Sequence, residues 1–231
     1  INDGVRGFII DTYGVDAWTS VVDATGIDNR YVTVCPYPDE VTYKALGTLA
    51  NLRGRDLQDV LDDFGYYFCM TYVPKMGYER LLRCMGGSLI EFLQNLNVYH
   101  LHLSMSFKDM TPPAFNVEEV TPDSLVFHYS STRPGLTRLA MGLLRGAAKL
   151  LYDTDVEISI LQMRDRNGCD EDDDKDAPKP DLESGGVPRG DGGGHGGGTD
   201  TFLIRFPTQS SFLQMHNAAA TCRLALDPPT L

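Results

Sequence analysis

Residues 88–103 have the sequence SLIEFLQNLNVYHLHL, and this stretch predicts a helix with a histidine on its buried face. Ser88 and Glu91 have the spacing of a capping box, which predicts the start of the helix. The residues that then recur at steps of four, three, four and three are Leu89, Leu93, Leu96, His100 and Leu103. That period places all five on one face of a helix about 22 Å long.

His100 is the chemically unusual residue of this face, because the other four positions hold leucine. His102 points about 200° away from it. A histidine on an apolar face has two interpretations. It can be a buried side chain that is hydrogen-bonded to a carbonyl, which is the more common case. It can also be a metal ligand, since neutral imidazole is the commonest metal ligand in proteins.

Residues 125–133, LVFHYSSTR, favour the second interpretation. The stretch is rich in aromatic and β-branched residues and predicts a strand, in which Tyr129, Ser131 and Arg133 would share a face. A phenol, a hydroxyl and a guanidinium together suit carboxylates, and arginine can hold one bidentately. A solvated polar face is the alternative, for which tyrosine is poorly suited. A core histidine beside such a group predicts a cofactor with a metal and carboxylates, and heme b has iron and two propionates.

Three segments carry a resemblance to a known family. They are FLQNLNVYH at 92–100, TPPAF at 111–115 and HYSSTRPGL at 128–136. They resemble the H-NOX (heme–nitric oxide/oxygen binding) domain of soluble guanylate cyclase, whose features are a proximal histidine and a Tyr-x-Ser-x-Arg strand. The resemblance extends from about residue 1 to residue 206. It implies that a ferrous heme b is held noncovalently, and the chain has no C-x-x-C-H motif for covalent attachment.

The resemblance also assigns roles to residues around the heme. His100 matches the proximal iron ligand, and the opposite axial position is left for a gas. Tyr129, Ser131 and Arg133 match the residues that bind the propionates. Pro113 matches a proline that presses on the heme and distorts it.

On the distal side, the resemblance places Leu139 where oxygen-binding members have a tyrosine, or Arg138 if the alignment slips by one residue. Phe68 could reach the same pocket, although core packing is the more common role of such an aromatic residue. Asn97 and the tyrosines of residues 66–72 could still supply a hydrogen-bond donor, so this point stays open. The expectation is a sensor selective for nitric oxide, with carbon monoxide as a further gas.

The resemblance implies signalling rather than catalysis. Release of His100 from iron would free its helix and regulate a guanylate cyclase, fused or separate, with the catalytic domain or adjacent PAS and coiled-coil domains as the expected partners. Other hypotheses are an oxygen or redox sensor acting on another effector, a heme enzyme such as a peroxidase, and a heme-free interaction module. A Soret band separates the last of these from the others, and turnover with peroxide identifies an enzyme.

The pattern along the whole chain predicts an α+β fold. Apolar residues at helical spacing fill the first half, with helices over 1–13, 16–24, from a cap at Asp39, 55–72, 76–85 and the stretch described above. Pro112 and Pro113 then impose an extended path. Strands are predicted over 115–120, 125–131, 156–163 and 201–206, with one helix over 136–152. We therefore expect a helical half packed on a four-stranded antiparallel sheet with one further helix.

Composition excludes several classes of function. The net charge of −12 argues against nucleic acid and anionic membranes as partners. No apolar run reaches the ~18 residues that span a bilayer, and no signal peptide is visible. Five cysteines without paired spacing fit a reducing, cytoplasmic location.

The acidity is concentrated in one segment. Residues 165–200 contain eleven acidic and four basic residues, and ten of the 23 glycines. Such a composition predicts a disordered insert over 164–200 within a heme domain of residues 1–206. Residues 207–231 are predicted to be a linker toward a further domain, and the first helix is expected to begin before Ile1.

Overall fold

The structure is a computed structural model that describes residues 1–31, 35, 37–106, 110–163 and 199–206. The α+β prediction is confirmed. The helices are α1 (Asn2–Tyr13), α2 (Val15–Thr25), α3 (Asp39–Arg53), α4 (Leu57–Tyr67), α5 (Val73–Lys75), α6 (Glu79–Arg83), α7 (Leu89–Ser106) and α8 (Thr137–Tyr152). The strands are β1 (Ala114–Glu118), β2 (Ser124–Ser130), β3 (Glu157–Gln162) and β4 (Thr199–Arg205).

The four strands form one antiparallel sheet in the order β1-β2-β4-β3. Alternation along each strand sends one set of side chains into the core, as expected for a sheet with one solvated face. The core-facing set includes Phe115 of β1, Phe127 and Tyr129 of β2, and Phe202 of β4. Strand β4, the last of the described strands in the sequence, occupies an inner position of the sheet.

Two apolar cores divide the described part of the chain. The first lies among α1 to α4 and is centred on Phe8, Leu46, Leu49 and Phe64. The second lies between α7, α8 and the sheet, and its most deeply buried members include Leu89, Leu93, Leu125, Phe127, Phe202 and Ile204. Helix α8 reaches both, because Leu139 packs on the first core while Leu144 and Ala148 belong to the second.

Helices α4 and α8 cross with their backbones in contact, and glycines make this approach possible. A Cβ atom on Gly65 would collide with the backbone of Leu139, and one on Gly142 would collide with the backbone of Asp62. A Cβ atom on Gly146 would lie 2.7 Å from Cβ of Cys69. Glycine at position 65 lowers the helix propensity of α4, but it allows α8 to approach the α4 backbone closely.

A π-helical turn, Phe68–Tyr72, continues α4, and a proline explains it. The N–H of Val73 donates to the carbonyl of Phe68, five residues earlier. Pro74 follows, and in a regular α-helix its ring would clash with the carbonyl four residues before it. Widening the turn removes that clash. The helix predicted over 55–72 is therefore present, but its last turn has a different geometry.

Helix α7 begins where the sequence predicts, although its cap differs in one bond. The Ser88 hydroxyl accepts from the Glu91 N–H at 3.2 Å, as a capping box requires. The Glu91 carboxylate, however, accepts from the N–H of Gly87 at 2.8 Å rather than from that of Ser88. The neighbouring helix predicted over 76–85 is shorter than expected and spans only Glu79–Arg83.

In the part of the chain that the structure describes, no helix is long and apolar enough to cross a membrane. The predicted insert over 164–200 falls almost entirely outside the described residues, and the predicted linker over 207–231 does so completely. Both stay predictions, as does the domain boundary between them.

Candidate functional site

His100 lies on α7 with its ring fixed by a backbone hydrogen bond. Its Nδ1 atom lies 2.8 Å from the carbonyl oxygen of Leu96, one helical turn earlier. A carbonyl oxygen can only accept, so Nδ1 carries the proton and Nε2 carries the lone pair. This is the tautomer in which Nε2 can bind a metal. The hydrogen-bonded core histidine and the metal ligand, two alternatives from the sequence, are thus compatible.

The surroundings of His100 keep it neutral. Burial lowers the pKa of His100 below its ordinary value of 6.5, while the hydrogen bond to Leu96 opposes this shift. Two aromatic rings contact the imidazole, Tyr99 edge-on at 5.5 Å and Phe115 at 5.0 Å between centroids. A neutral, half-buried imidazole is suited to ligate iron.

Phe115 connects the histidine to the predicted propionate tyrosine. It pairs with Tyr129 across β1 and β2, and their rings stack at 5.9 Å. Tyr129 is only 5% exposed. Pro113 immediately precedes β1 and is half-buried. The structure therefore brings His100, Phe115 and Tyr129 together at the junction of α7 and the sheet.

The prediction that Tyr129, Ser131 and Arg133 share one strand face is wrong for the last two residues. Strand β2 ends at Ser130, and the chain turns directly after it. The Ser131 hydroxyl accepts from the backbone N–H of Arg133 at 3.1 Å, a bond typical of serine in turns. The turn is induced by this local bond and by the Pro134-Gly135 pair that follows, which strand alternation does not take into account.

Arg133 forms an ion pair with Asp39, a residue that the sequence predicts to be the cap of α3. Its Nε donates to Asp39 at 2.8 Å, with the two side chains 36% and 46% exposed. Asp39 was expected to cap α3, but the cap residue is Pro38 and no side chain caps this helix end. Tyr43, one turn further along α3, donates to the carbonyl of Pro134 at 2.9 Å. The first turn of α3 thus fastens the turn that follows β2.

The residues assigned to the distal pocket lie beside the helical core. Phe68 stacks on Tyr72 at 5.0 Å and packs against both cores, while Leu139 packs against the first. The sequence also offers Asn97 as a distal donor, and this role stays a prediction. Its amide is bound to the backbone of Phe115, on the same side of α7 as the sheet.

The described residues form two clefts, and Phe115 is among the residues that line the first of them. One of about 300 Å³ is on the solvated face of the sheet and is lined by Asn116, Glu118, His128 and Thr199 among others. The other, of about 440 Å³, lies between α1, α4 and α8, where Tyr66, Tyr67, Met70 and Arg145 line it. Neither lining includes His100, Tyr129 or Arg133.

The donor set fits a heme. Among the described residues, no group of three or more His, Cys, Asp or Glu side chains could hold a metal ion by themselves. A single imidazole nitrogen suits a metal that arrives with four porphyrin nitrogens. The carboxylates of the same cofactor are matched by a buried phenol at Tyr129 and a guanidinium at Arg133.

Sequence reasoning missed three residues of this site. Phe115 was assigned only to a strand, Asp39 only to a cap, and Asn97 only to a distal donor role. For Asn97 and Phe115 the sequence does contain a signal. Asn97 is a polar residue one turn before His100, and the Pro112-Pro113 pair that follows α7 returns the chain toward that helix. For Asp39 it contains none, because Asp39 lies 94 positions before Arg133.

Comparison with known proteins identifies relatives for most of the chain. A family model described as haem-NO-binding matches residues 1–160. Soluble guanylate cyclase subunit beta-2 of Rattus norvegicus is 39% identical over 109 residues, covering 47% of this chain and 16% of the rat protein. Soluble guanylate cyclase gcy-37 of Caenorhabditis elegans is 30% identical over 162 residues, covering 68% of this chain and 23% of the nematode protein. The chain thus matches less than a quarter of the length of these two relatives.

Solved structures show the same fold. An oxygen-binding H-NOX domain related to soluble guanylate cyclases superposes with a TM-score of 0.63 at 18% identity, over 89% of this chain and 93% of that one. A mutant H-NOX protein of T. tengcongensis gives a TM-score of 0.64 at 18% identity, over 90% and 96% of the two chains.

Proposed function

The chain belongs to the haem-NO-binding (H-NOX) family of heme-binding gas-sensor domains related to soluble guanylate cyclase, and we propose that it senses nitric oxide through a noncovalent ferrous heme b. By itself, a domain of this family is a sensor and not a catalyst. The observation that carries the proposal is the His100 ring, whose Nδ1–H is bound to Leu96 and whose Nε2 is left with the lone pair.

His100 is the proposed sole protein ligand of the iron, which is the atom that binds the gas. Tyr129 and Ser131 would donate hydrogen bonds from their hydroxyl groups to the propionates, and Arg133 would supply the positive charge. Nε of Arg133 donates to Asp39, and the guanidinium has further N–H donors at its Nη atoms that can bind a carboxylate. Asp39 therefore orients the guanidinium. Pro113, directly before β1, is the residue that would press on the porphyrin.

Selectivity for nitric oxide follows from the side chains proposed for the distal wall. Leu139 and Phe68 have no hydrogen-bond donor. Bound oxygen is polar and is stabilised by a donor, whereas nitric oxide binds ferrous heme without one. We therefore expect the reduced protein to bind nitric oxide and to form no stable oxygen complex in air. A persistent oxygen complex would contradict this assignment.

The proposed output is the position of α7. His100 would hold α7 toward a bound heme, and loss of that bond would free the helix and relieve the contact at Pro113. A guanylate cyclase, fused to this domain or separate from it, is the proposed effector, as the relatives suggest. A two-state helix whose equilibrium a ligand shifts is sufficient for a switch.

An absorption spectrum of the reduced protein tests the proposal. We expect a Soret band in the parent chain and in His102→Gly, a matched control because His102 is exposed on the same helix. His100→Gly should lose the band and regain it when imidazole is added. In the rescued protein, gas binding should no longer change the position of α7, which is the proposed output. A colourless parent chain would indicate a heme-free module, and an unchanged Soret band in His100→Gly would exclude His100 as the ligand.

A further inference from the structure

Asn97 makes an unusual pair of hydrogen bonds to one residue of the sheet. Its Nδ2 donates to the backbone carbonyl of Phe115 at 2.7 Å, and its Oδ1 accepts from the N–H of Phe115 at 2.9 Å. A side-chain amide can make both bonds because it carries a donor and an acceptor side by side. Since β1 is an edge strand of the sheet, Asn97 takes the place that a further strand would have at this residue.

The position of these bonds determines how Phe115 meets Tyr129. The N–H and C=O of a strand residue point to the same side, and those of Phe115 point away from β2 toward α7. Phe115 and Tyr129 are therefore a non-hydrogen-bonded pair, the kind in which side chains approach most closely. Their stacked rings, 5.9 Å apart, agree with this.

The same bonds control the contact of Phe115 with His100. Asn97 lies three residues before His100, so both project from neighbouring turns of α7. The Phe115 ring lies 5.0 Å from the imidazole and inclined to it by 48°. One turn of α7 thus restrains the imidazole in two ways. The Leu96 carbonyl accepts its hydrogen bond, and Asn97 holds the Phe115 ring against it.

We infer that Asn97 is a positioning residue for the iron ligand. Its two bonds set the separation and rotation between α7 and β1, and they hold the Phe115 ring against the imidazole so that the plane of His100 is fixed. They also join α7, which carries the proposed iron ligand, to β1, whose Phe115 pairs with Tyr129. A single side chain therefore connects the His100 and Tyr129 parts of the proposed heme site. The role as positioning residue rests on the proposed function, in which His100 binds heme iron.

The variant that isolates this role is Asn97→Asp, which has the same shape. An aspartate can still accept from the Phe115 N–H, but it places a negative oxygen against the Phe115 carbonyl, so α7 and β1 move apart. Asn95→Asp is the matched control. Asn95 lies on the same helix, is also exposed, and donates to the carbonyl of Met85 at 2.7 Å. It loses a bond of the same kind away from Phe115.

The measurement is the iron–imidazole stretching band in the resonance Raman spectrum of the ferrous heme protein. We expect Asn97→Asp to retain heme but to shift and broaden this band, and Phe115→Leu to do the same. Asn95→Asp should keep the parent band. Parent-like bands in Asn97→Asp and Phe115→Leu would overturn the inference, because a purely structural role changes stability without moving this band.

A second measurement separates this inference from the proposed function. If the parent chain takes up no heme, the proposed function fails, but the ring contact can still be read by NMR in the heme-free protein. The His100 ring protons should then change their chemical shifts in Asn97→Asp, through the altered ring current of Phe115, and not in Asn95→Asp. Unchanged shifts in both variants would show that Asn97 does not position the ring.

Discussion

The α4–α8 crossing and the α7–β1 contact hold the same domain together by different means. At the crossing, the backbones of α4 and α8 approach closely at Gly65 and Gly142. At the α7–β1 contact, a single amide and two rings join helix to strand. Close-packed backbones have few alternative arrangements, whereas two hydrogen bonds contribute roughly 1 kcal/mol each. We therefore expect the crossing to be the fixed frame and α7 to be the element that can move.

The exposed side chains on the outer surface of α7 support the expectation that α7 is more mobile than the α4–α8 crossing. Val98, Leu101 and Met105 are 67%, 61% and 71% exposed, so the residues that the structure describes pack on one side of the helix only. Helix α8 is buried along most of its length between the two cores. An element with packing on one face has less contact energy to lose when it shifts.

The largest effect is expected from a methyl group placed in the crossing. Gly142→Ala should destabilise the protein by about 3 kcal/mol, because the new Cβ meets the backbone of Asp62 and neither helix can yield alone. Gly47→Ala in α3 is the control, since a Cβ there meets nothing within 4 Å. It should stabilise the protein by about 0.5–1 kcal/mol. Urea unfolding of both variants measures these changes. An unfolding free energy of Gly142→Ala equal to that of the parent would show that the crossing is not rigid.

A second effect concerns the pH dependence of stability at the same crossing. Burial raises the pKa of the Cys69 thiol to about 12, whereas an unfolded thiol has a pKa of about 8.5. The stability that this difference provides is complete below pH 8.5 and is lost as pH rises toward 12, with a slope approaching 1.4 kcal/mol per pH unit, as an order-of-magnitude figure. Between pH 8.5 and 9.5, Cys69→Ala should show a smaller decline of the unfolding free energy than the parent.

Cys84→Ala is the control for this measurement, because Cys84 is exposed and its thiol meets water before and after unfolding. Its unfolding free energy should follow the parent's slope. An identical slope in Cys69→Ala would mean that water reaches the crossing in the folded state. Reducing conditions are needed throughout.

A smaller effect is expected where α8 is tied to the start of α7. Tyr152 donates to the carbonyl of Gly86 at 2.9 Å, three residues before α7 begins. Tyr152→Phe removes this bond and should cost about 1 kcal/mol. Tyr78→Phe, at a residue that is 39% exposed, should stay within about 0.5 kcal/mol of the parent. Equal stabilities in urea would show that α7 does not depend on this tether.

The smallest effect is expected on the solvent face of α7. Leu101→Gln should change the unfolding free energy by less than about 0.5 kcal/mol, because the side chain is 61% exposed. Leu93→Ala, on the packed face and 1% exposed, should cost about 3 kcal/mol. A large loss in Leu101→Gln would reveal packing on this face and would weaken the contrast between α7 and α8.

The sequence predicts the elements well where one periodic pattern decides them. The leucine spacing before His100 is enough for α7, because a helix face is a local property. The strands are predicted for the same reason, apart from their ends. The end of β2 at Ser130 depends on the Ser131 hydroxyl and the turn that follows, which compete with strand alternation.

The proposed site is less predictable than the fold, because its partners are far apart in the chain. His100, Tyr129 and Arg133 were assigned through resemblance to a family, and these roles stay predictions. The pairing of Asp39 with Arg133 depends on how α3 packs against the turn after β2, and no local pattern contains that information. The π-helical turn at Phe68–Tyr72 could have been anticipated from Pro74, since proline is disfavoured inside a helix.

The inner position of β4 has a practical consequence for anyone who shortens this protein. The region that the family model matches ends at residue 160, inside β3. A chain cut there loses the strand that separates β2 from β3, so the remaining sheet would present unpaired N–H and C=O groups along two strands. Exposed edges of that kind pair with other molecules and lead to aggregation. A shortened chain therefore has to extend at least through Arg205.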